Sequence, residues 1–229
     1  ILGFSQLLND ESIVKKKKKT YSEFIQLGGK RLLKPIDNII DISKIESGKV
    51  SLDYSVFNIC KLVDEVFSQF IITAQSQNVE LIHTNLSGNN NLRIKSDSLK
   101  LHQILTNLVN NALKFTAQGS IEVKYEIINQ ELTFCVKDTG KGIHKKHIDK
   151  IFERFYQADM SLSRGFEGTG LGLAICKGLI EAMSGKIRVE SEIEKGTTFY
   201  FSIPYKQVSE NIAEEKPGII KPEPGKIIL

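Results

Sequence analysis

Residues 168–173 read Gly-Thr-Gly-Leu-Gly-Leu and run directly into an apolar segment of helical period. Gly168, Gly170 and Gly172 can adopt backbone angles that side chains forbid, and they let another molecule approach the main chain closely. The helix that follows begins with unpaired N–H groups and a partial positive charge, and both features suit a phosphate. The segment therefore indicates a phosphate-binding helix start, although a glycine loop taken alone is more often an ordinary turn.

A second polar motif lies on a predicted helix upstream. Asn107, Asn111 and Lys114 are spaced i, i+4 and i+7, which places them on one helix face. Asparagine is a poor helix former, so two of them on one stripe need a reason beyond propensity. Taken alone, they could simply face solvent.

A third motif lies between the other two. Asp138 ends a predicted strand, and Gly140 and Gly142 follow it in the sequence DTGKG. Alone, this is good turn chemistry, with the aspartate stabilising its own turn. The three motifs together, in this order and spacing, are a much stronger signal than any one of them.

The trio resembles the N, G1 and G2 boxes of the histidine-kinase ATP-binding domain, a fold shared with gyrase, the MutL repair proteins and a heat-shock chaperone. Residues 152–155 (FERF) resemble the F box, which is particular to the kinases, and residues 196–199 (GTTF) resemble the last glycine box. The resemblance covers roughly residues 20–205. It implies an α+β fold: a two-layer α/β sandwich of the Bergerat type, with a mixed sheet and helices on one face, preceded by a long dimerisation helix.

The resemblance also implies ATP and Mg²⁺ as ligands and assigns roles to residues. Asp138 would accept a hydrogen bond from the adenine amino group, which suits a carboxylate because it only accepts. Asn111 would be the Mg²⁺ ligand, which suits a hard cation that prefers oxygen and keeps several waters. The predicted nucleotide-binding set is Asn107, Asn111, Lys114, Asp138, Gly140, Gly142, Gly168, Gly170, Gly172 and Thr197. Within it, Asn107 and Lys114 would reach the phosphates, and Thr197 would add a hydroxyl near the adenine.

The segment before the G2 box is predicted to be a lid. Residues 159–167 are aperiodic and rich in small residues, and Phe152 and Phe155 are expected to anchor them. Some members of the family carry arginine where this chain has Gln157. This change predicts either that one phosphate contact is missing or that another residue supplies it, with Arg154 and Arg164 as the candidates.

The remaining elements follow from periodicity. A long helix is predicted from an N-cap at Thr20, after a loop over residues 9–19, to about Ser47, with a kink at Pro35. Further helices are predicted over residues 59–76, after a cap at Asp97, and over 145–155. Strands are predicted within 50–57 and over 78–86, 92–95, 120–128, 131–138, 185–191 and 197–204. This order does not alternate as βαβαβ, which disfavours a Rossmann fold.

Three segments are predicted. Residues 1–50 form a partial dimerisation hairpin whose second helix spans about 20–48, 51–205 form the ATP-binding catalytic domain, and 206–229 are a linker or tail that can lead to a receiver domain. The chain opens inside an apolar helical pattern, so we expect it to be part of a longer protein. The family's acceptor histidine would lie upstream of Ile1, and no catalytic residue is predicted within the chain.

Composition bounds the partners. The chain has 229 residues, 41% of them hydrophobic, and a net charge of +4; five of its positive charges lie in the lysine run 15–19. This balance does not favour a nucleic-acid protein, and no apolar run approaches the ~20 residues that a membrane span needs. Three well-separated cysteines fit a reducing compartment. We expect a cytoplasmic location, although the parent protein could be membrane-anchored. We also expect a homodimer that forms through the hairpin. A response-regulator receiver domain is the expected second partner.

The function predicted from these residues is transfer of the ATP γ-phosphoryl group to a histidine in two-component signalling. One alternative is an ATPase clamp of the gyrase or MutL kind, which would carry a catalytic glutamate about four residues before the metal asparagine. Asn107 occupies that position here, which argues against hydrolysis. The other alternative is a dimer module that senses nucleotide without catalysis.

Overall fold

The computed structural model describes residues 2–8, 14–158 and 169–206. The helices are α1 (Leu2–Leu8), α2 (Lys15–Glu46), α3 (Ile59–Ser76), α4 (Ser98–Phe115), α5 (Lys145–Ile148) and α6 (Gly172–Ala182). The strands are β1 (Ser55–Asn58), β2 (Val79–Asn85), β3 (Arg93–Ser96), β4 (Gly119–Ile128), β5 (Glu131–Asp138), β6 (Lys186–Glu192) and β7 (Gly196–Pro204).

The centre of the fold is a five-stranded sheet in the order β2-β4-β5-β7-β6. β2 pairs with β4 in parallel, and the other pairs are antiparallel, so the sheet is mixed. Alternate residues of the central strands are buried, among them Val123, Phe134 and Phe201, and helices α3, α4 and α6 pack on the sheet. A separate two-stranded ribbon joins β1 to β3. The predicted α+β fold is confirmed.

Local sequence fixes the ends of several elements. Asn58 caps α3 by accepting N–H bonds from Cys60 and Lys61, and the predicted cap at Asp97 is confirmed, since its carboxylate accepts from Lys100 N at 2.9 Å. The β4–β5 hairpin turns at residues 129–130, both of which have positive φ, as a two-residue I′ turn requires.

The start of the long helix differs from the prediction. α2 begins at Lys15 after Val14, so Thr20 is not its N-cap and the lysine run is helical rather than a loop. Lysine is a good helix former, and the run contains no glycine or proline, so the helix includes the whole run and begins directly after Val14. The helix continues as one element through Pro35 to Glu46.

The predicted helix over residues 145–155 is also wrong in extent. α5 ends at Ile148, and the chain continues in turns whose bonds include Lys150 N to His147 O at 2.9 Å. Phe155 has a φ of 59° and donates its N–H to Gly170 O at 3.1 Å instead of to a helical carbonyl. A contact with the second glycine box therefore replaces the helix that local periodicity favours.

Helix α2 packs on the rest of the domain near its C-terminal end and exposes apolar side chains along the remainder of its length. Near its end, Ile42 is buried, Asp41 accepts a hydrogen bond from Gln103 of α4 at 2.6 Å, and Glu46 forms an ion pair with Arg154. Elsewhere it carries large apolar side chains that are 45–62% exposed: Phe24, Leu27, Leu32, Leu33, Ile36, Ile39 and Ile40. Within the described residues, no helix has the length and apolar character needed to span a membrane.

Candidate nucleotide-binding site

Asp138 lies at the end of β5 and is 6% exposed. Its Oδ1 accepts N–H bonds from Gly140 at 2.9 Å and from Thr197 at 3.2 Å. Burial raises the pKa of this carboxyl, and the two N–H bonds oppose that rise. Among the residues that the structure describes, Oδ2 has no hydrogen-bond partner, so one acceptor oxygen is available at a buried position. We call this region, built on Asp138 and Thr197, the base end of the site.

The two glycines after Asp138 bring three parts of the chain into contact. A Cβ at Gly140 would lie 2.8 Å from the carbonyl carbon of Phe115 at the end of α4. Gly142 has a φ of +69°, and a Cβ there would lie 2.7 Å from the carbonyl carbon of Glu192. The glycines are therefore required first by packing of the protein on itself, a reason that the sequence pattern did not give.

Helix α6 begins at Gly172 and has no side-chain cap at Leu171. Among the residues that the structure describes, the N–H groups of its first turn have no hydrogen-bond partner, which is the arrangement that binds phosphate. Asn107 lies against this start, because a Cβ at Gly172 would be 4.0 Å from its amide carbon. The buried thiol of Cys176 on α6 donates to the backbone oxygen of Ile104 on α4 at 3.8 Å, and burial raises the pKa of this thiol to about 12. We call this region, at Asn107 and the start of α6, the phosphate end.

Lys114 lies toward the opposite end of the same face of α4. Its Nζ is 5.1 Å from the centre of the Phe115 ring, and the Nζ of Lys141 is 5.0 Å from the same ring. The pKa of Lys114 is lowered, first by burial and then by the positive charge of Lys141. Two cations and an exposed aromatic ring therefore meet beside the first glycine box.

The structure thus brings the predicted residues together along α4. Gly140 and Thr197 bond to Asp138 at the base end, and Asn107 and Gly172 meet at the phosphate end. The side chain of Asn111, half-buried between Asn107 and Lys114 on α4, has no hydrogen bond to any other described residue. The carbonyl of Gly170 binds the F-box segment, as described above. Gly168, Arg164 and the predicted lid over residues 159–167 lie outside the described residues.

Comparison with known proteins identifies the family of this chain. Residues 96–207 match the family described as histidine kinase-, DNA gyrase B- and HSP90-like ATPase. The solved catalytic domain of histidine kinase ThkA is 31% identical, with a TM-score of 0.58, and the match covers 66% of this chain and 95% of that one. The chain belongs to this ATPase family. It is an ATP-binding catalytic domain of the sensor histidine-kinase kind.

Two further relatives define the context of the histidine-kinase domain. Sensor protein GacS of Pseudomonas syringae pv. syringae is 37% identical over 219 residues, which are 93% of this chain and 24% of GacS. Full-length ShkA in complex with AMPPNP is 27% identical with a TM-score of 0.75, over 88% of this chain and 42% of that one. ThkA has also been solved with response regulator protein TrrA, at 25% identity and a TM-score of 0.59, over 90% of this chain and 55% of that one. The chain spans about a quarter of the length of the first curated relatives that it matches.

The F box of the histidine-kinase domain is only partly as predicted. Phe152 packs edge-on against Phe199, with ring centroids 6.3 Å apart, and so anchors this segment on the core. Phe155 does not, since it is 68% exposed. Arg154 points to Glu46 of α2 rather than to the site. Of the two arginines proposed to replace a phosphate contact, Arg154 is therefore engaged elsewhere.

Three residues of this region were absent from the predicted set: Phe115, Lys141 and Ser191. Phe115 and Lys141 are adjacent to predicted residues, so neighbourhood in the sequence could have found them. Ser191 follows Ile187 and Val189 at strand period, which marks it as a polar residue on the face that packs against the helices. Its hydroxyl accepts the N–H of Ile143 at 2.8 Å, a contact between residues 48 positions apart.

Proposed function

We propose that this histidine-kinase domain binds Mg-ATP with the adenine at Asp138 and the phosphates between α4 and the start of α6. In the whole protein it would transfer the γ-phosphoryl group to a histidine. The single observation that carries the proposal is the buried carboxylate of Asp138, with one oxygen bonded to backbone N–H groups and the other unpartnered among described residues. Such an acceptor selects a ligand edge that donates, as the adenine amino group does.

The phosphate end fits a magnesium-bound triphosphate. The amide oxygen of Asn111 is a hard ligand of the type that Mg²⁺ takes alongside phosphate oxygens and water. Asn107 would contact the phosphates. The N–H groups at the start of α6, which have no partner among the described residues, and the amine of Lys114 supply donors for an anion. An anion beside Lys114 and Lys141 would also relieve the repulsion that lowers the pKa of Lys114. When bound, Mg²⁺ would neutralise phosphate charge and hold the β- and γ-phosphates in a defined geometry.

The protein's contribution to transfer would be positioning. A histidine nitrogen forms a bond to the γ-phosphorus while the bond from that phosphorus to the β–γ bridging oxygen breaks, which releases ADP; the ring then gives up a proton to solvent. Asp138 would fix the base, and α4 and the start of α6 would fix the phosphates, so that the reacting group is held at one place. Transfer to a histidine does not require a residue that activates water, and this distinguishes it from ATP hydrolysis by the clamp.

The acceptor is proposed to lie outside these 229 residues. His83, His102, His144 and His147 all lie in or beside elements of the ATP-binding fold, and each has a partner. These partners are the carboxylate of Asp64, the amide of Gln69, the N–H of Lys146 and the hydroxyl of Tyr156, respectively. None of these four is on α1 or α2, the elements of the proposed partial hairpin.

The partners are proposed from the surface of α2 and from the relatives. The exposed apolar side chains of α2 need cover, and pairing two copies of an α1–α2 hairpin would bury them in a four-helix bundle. In α1, Phe4 stacks on Phe24 of α2 with ring centroids 5.1 Å apart. We propose residues 1–50 as this partial hairpin, 51–205 as the catalytic domain and 206–229 as a linker or tail. A response-regulator receiver domain in the cytoplasm is the proposed downstream partner, supported by the ThkA–TrrA complex.

The test is binding followed by labelling. Titration calorimetry of the 229-residue chain with Mg-ATP should show binding, and radiolabelled ATP should leave the chain unlabelled. A longer version of the natural protein, extended upstream of Ile1, should acquire acid-labile label. Asp138→Asn in that longer protein is the matched control and should remain unlabelled.

Two other outcomes would support a different function, and a third would contradict the placement of the acceptor. Steady release of phosphate by the 229-residue chain alone would favour the ATPase clamp. ATP binding without label on the longer protein would favour the nucleotide sensor. Label on the 229-residue chain itself would contradict the placement of the acceptor.

A further inference from the structure

Three polar residues form one row across β5, β7 and β6. Thr197 and Ser191 are direct cross-strand partners, and the N–H of Thr197 bonds to the carboxylate of Asp138. Cross-strand partners place their side chains on the same face of a sheet, here the face that packs on the helices. Asp138 and Thr197 are each 6% exposed, and Ser191 is half-buried. The row begins at Asp138, which is proposed to bind the base, and ends at Ser191.

The hydroxyl of Ser191 has three neighbours within hydrogen-bond distance. It accepts from Ile143 N at 2.8 Å, it donates to Gly196 O at 3.0 Å, and it lies 3.0 Å from Thr197 Oγ1. A serine hydroxyl has one proton and two lone pairs, so three bonds use its full capacity. A carbonyl oxygen can only accept, so the proton of Ser191 goes to Gly196. Thr197 must then be the donor in its bond to Ser191.

This assignment determines whether the Thr197 hydroxyl can donate or only accept a hydrogen bond from a ligand. Its only hydroxyl proton is directed to Ser191, which leaves lone pairs and no donor for a ligand. We infer that Ser191 is a positioning residue for base selectivity: it holds Thr197 as a hydrogen-bond acceptor, so that Asp138 and Thr197 present acceptors together at the base end. The inference rests on the proposed function, since it takes the base to lie at Asp138.

Such a pair selects between purines by the group at position 6. Adenine carries an amino group there, which can donate two hydrogen bonds. Hypoxanthine carries a carbonyl at that position, which only accepts and would face two acceptors. Without Ser191, the hydroxyl of Thr197 could rotate and donate to that carbonyl, which would reduce the penalty.

A purely structural role is the competing explanation. The same region is tied by Glu194 N to Lys141 O at 2.9 Å, and Ser191 joins it through Ile143. If Ser191 only held the glycine loop in place, its loss would weaken all nucleotides alike. Selectivity between two bases, rather than affinity for one, therefore distinguishes the two roles.

The experiment measures Kd for Mg-ATP and for Mg-inosine triphosphate by calorimetry on the 229-residue chain. The wild type should prefer ATP. Ser191→Ala should reduce that preference by roughly three- to tenfold, the value of one hydrogen bond changed from repulsive to favourable. Ser191→Thr retains a hydroxyl and should restore the preference. In a Thr197→Val background, Ser191→Ala should change the preference no further.

The outcomes separate the inference from the function on which it rests. Equal weakening of both nucleotides by Ser191→Ala, or an unchanged preference, would overturn the role of Ser191 while leaving the site in place. If Ser191→Ala does not fold, as judged by circular dichroism, Thr197→Val replaces it: that variant should lower the preference for ATP, and an unchanged preference would overturn the inference. A wild-type chain that binds neither nucleotide would instead refute the proposed function.

Discussion

At the base end, the Oδ1 atom of Asp138 already accepts N–H bonds from Gly140 and Thr197, whereas at the phosphate end α6 starts at Gly172 with no side-chain cap. The base end is held by bonds within the protein and has its shape without a ligand. At the phosphate end, the first N–H groups of α6 have no hydrogen-bond partner among the described residues. Toward the other end of the α4 face, beside the first glycine box, the positive charges of Lys114 and Lys141 repel each other. A ligand would supply missing hydrogen-bond partners at the phosphate end, whereas at the base end it would occupy a site whose shape is already set. Substitutions at the two ends should therefore affect affinity and stability differently.

The largest effect is expected from Asp138→Asn. The amide oxygen can still accept from Gly140 and Thr197, but the other atom becomes a donor that faces the adenine donor. The resulting unpaired groups should weaken Mg-ATP binding by about 5- to 150-fold, the equivalent of roughly 1–3 kcal/mol. Calorimetry measures this loss, and unchanged affinity would remove Asp138 from the site.

The same variant should keep or raise the melting temperature of the ligand-free protein. Burial raises the pKa of Asp138 above that of the unfolded chain, so the folded protein retains this proton to higher pH. The stability contributed by this group is therefore greatest below the unfolded pKa and falls as pH rises through the folded pKa. Asparagine has no such loss at neutral pH. A clearly lower melting temperature would mean that the carboxylate holds the base end together.

Asn111→Ala tests the phosphate end and should have an intermediate effect. It removes a proposed Mg²⁺ ligand and leaves the base end unchanged, so affinity for Mg-ATP should fall roughly tenfold, as for loss of a contact with a charged group. Affinity for ATP in the presence of EDTA should change little. The neighbouring Asn110 is exposed and lies off this face, so Asn110→Ala is the matched control. Equal losses with and without Mg²⁺ would assign Asn111 a structural role.

The smallest effect is expected from Lys114→Met. Removing one partly solvated cation should weaken Mg-ATP by roughly two- to fivefold and make binding less sensitive to salt. The ligand-free variant should gain stability relative to the wild type at neutral pH. The pKa of Lys114 is lowered by burial and by Lys141, so the folded wild type is disfavoured while this amine is charged. That penalty lessens as pH rises from the lowered folded pKa toward 10.5, the ordinary lysine value.

Thermal melts of the two proteins between pH 7 and pH 10 check this last prediction. The advantage of Lys114→Met should shrink as pH rises and should disappear when both proteins are saturated with Mg-ATP. A difference that does not depend on pH would mean that the packing of the lysine stem, not its charge, sets the stability. In that case the contrast between the two ends would not be electrostatic.

Local patterns in the sequence determined much of this domain. Helix α3 over Ile59–Ser76, the Asp97 cap and the β4–β5 hairpin follow from periodicity, capping and turn chemistry within a few residues. The motif containing Asp138 and the stripe of asparagines on α4 were found for the same reason, since each motif is contiguous or repeats at helical spacing. Local rules failed between Ile148 and Phe155: the chain there forms turns instead of the predicted helix, and the N–H of Phe155 bonds to Gly170, fifteen residues away.

Only the tertiary structure decided how these motifs meet. The row from Asp138 through Thr197 to Ser191 depends on the register of three strands, and a single-residue shift would turn each side chain to the opposite face. The packing of α2 on the domain depends on Ile45 filling the space that a side chain at Gly178 would occupy. The sequence by itself specified which residues could bind a nucleotide, because their chemistry and spacing are local. Their arrangement into one site with a fixed pattern of donors and acceptors came from contacts between residues far apart in the chain, which no local pattern encodes.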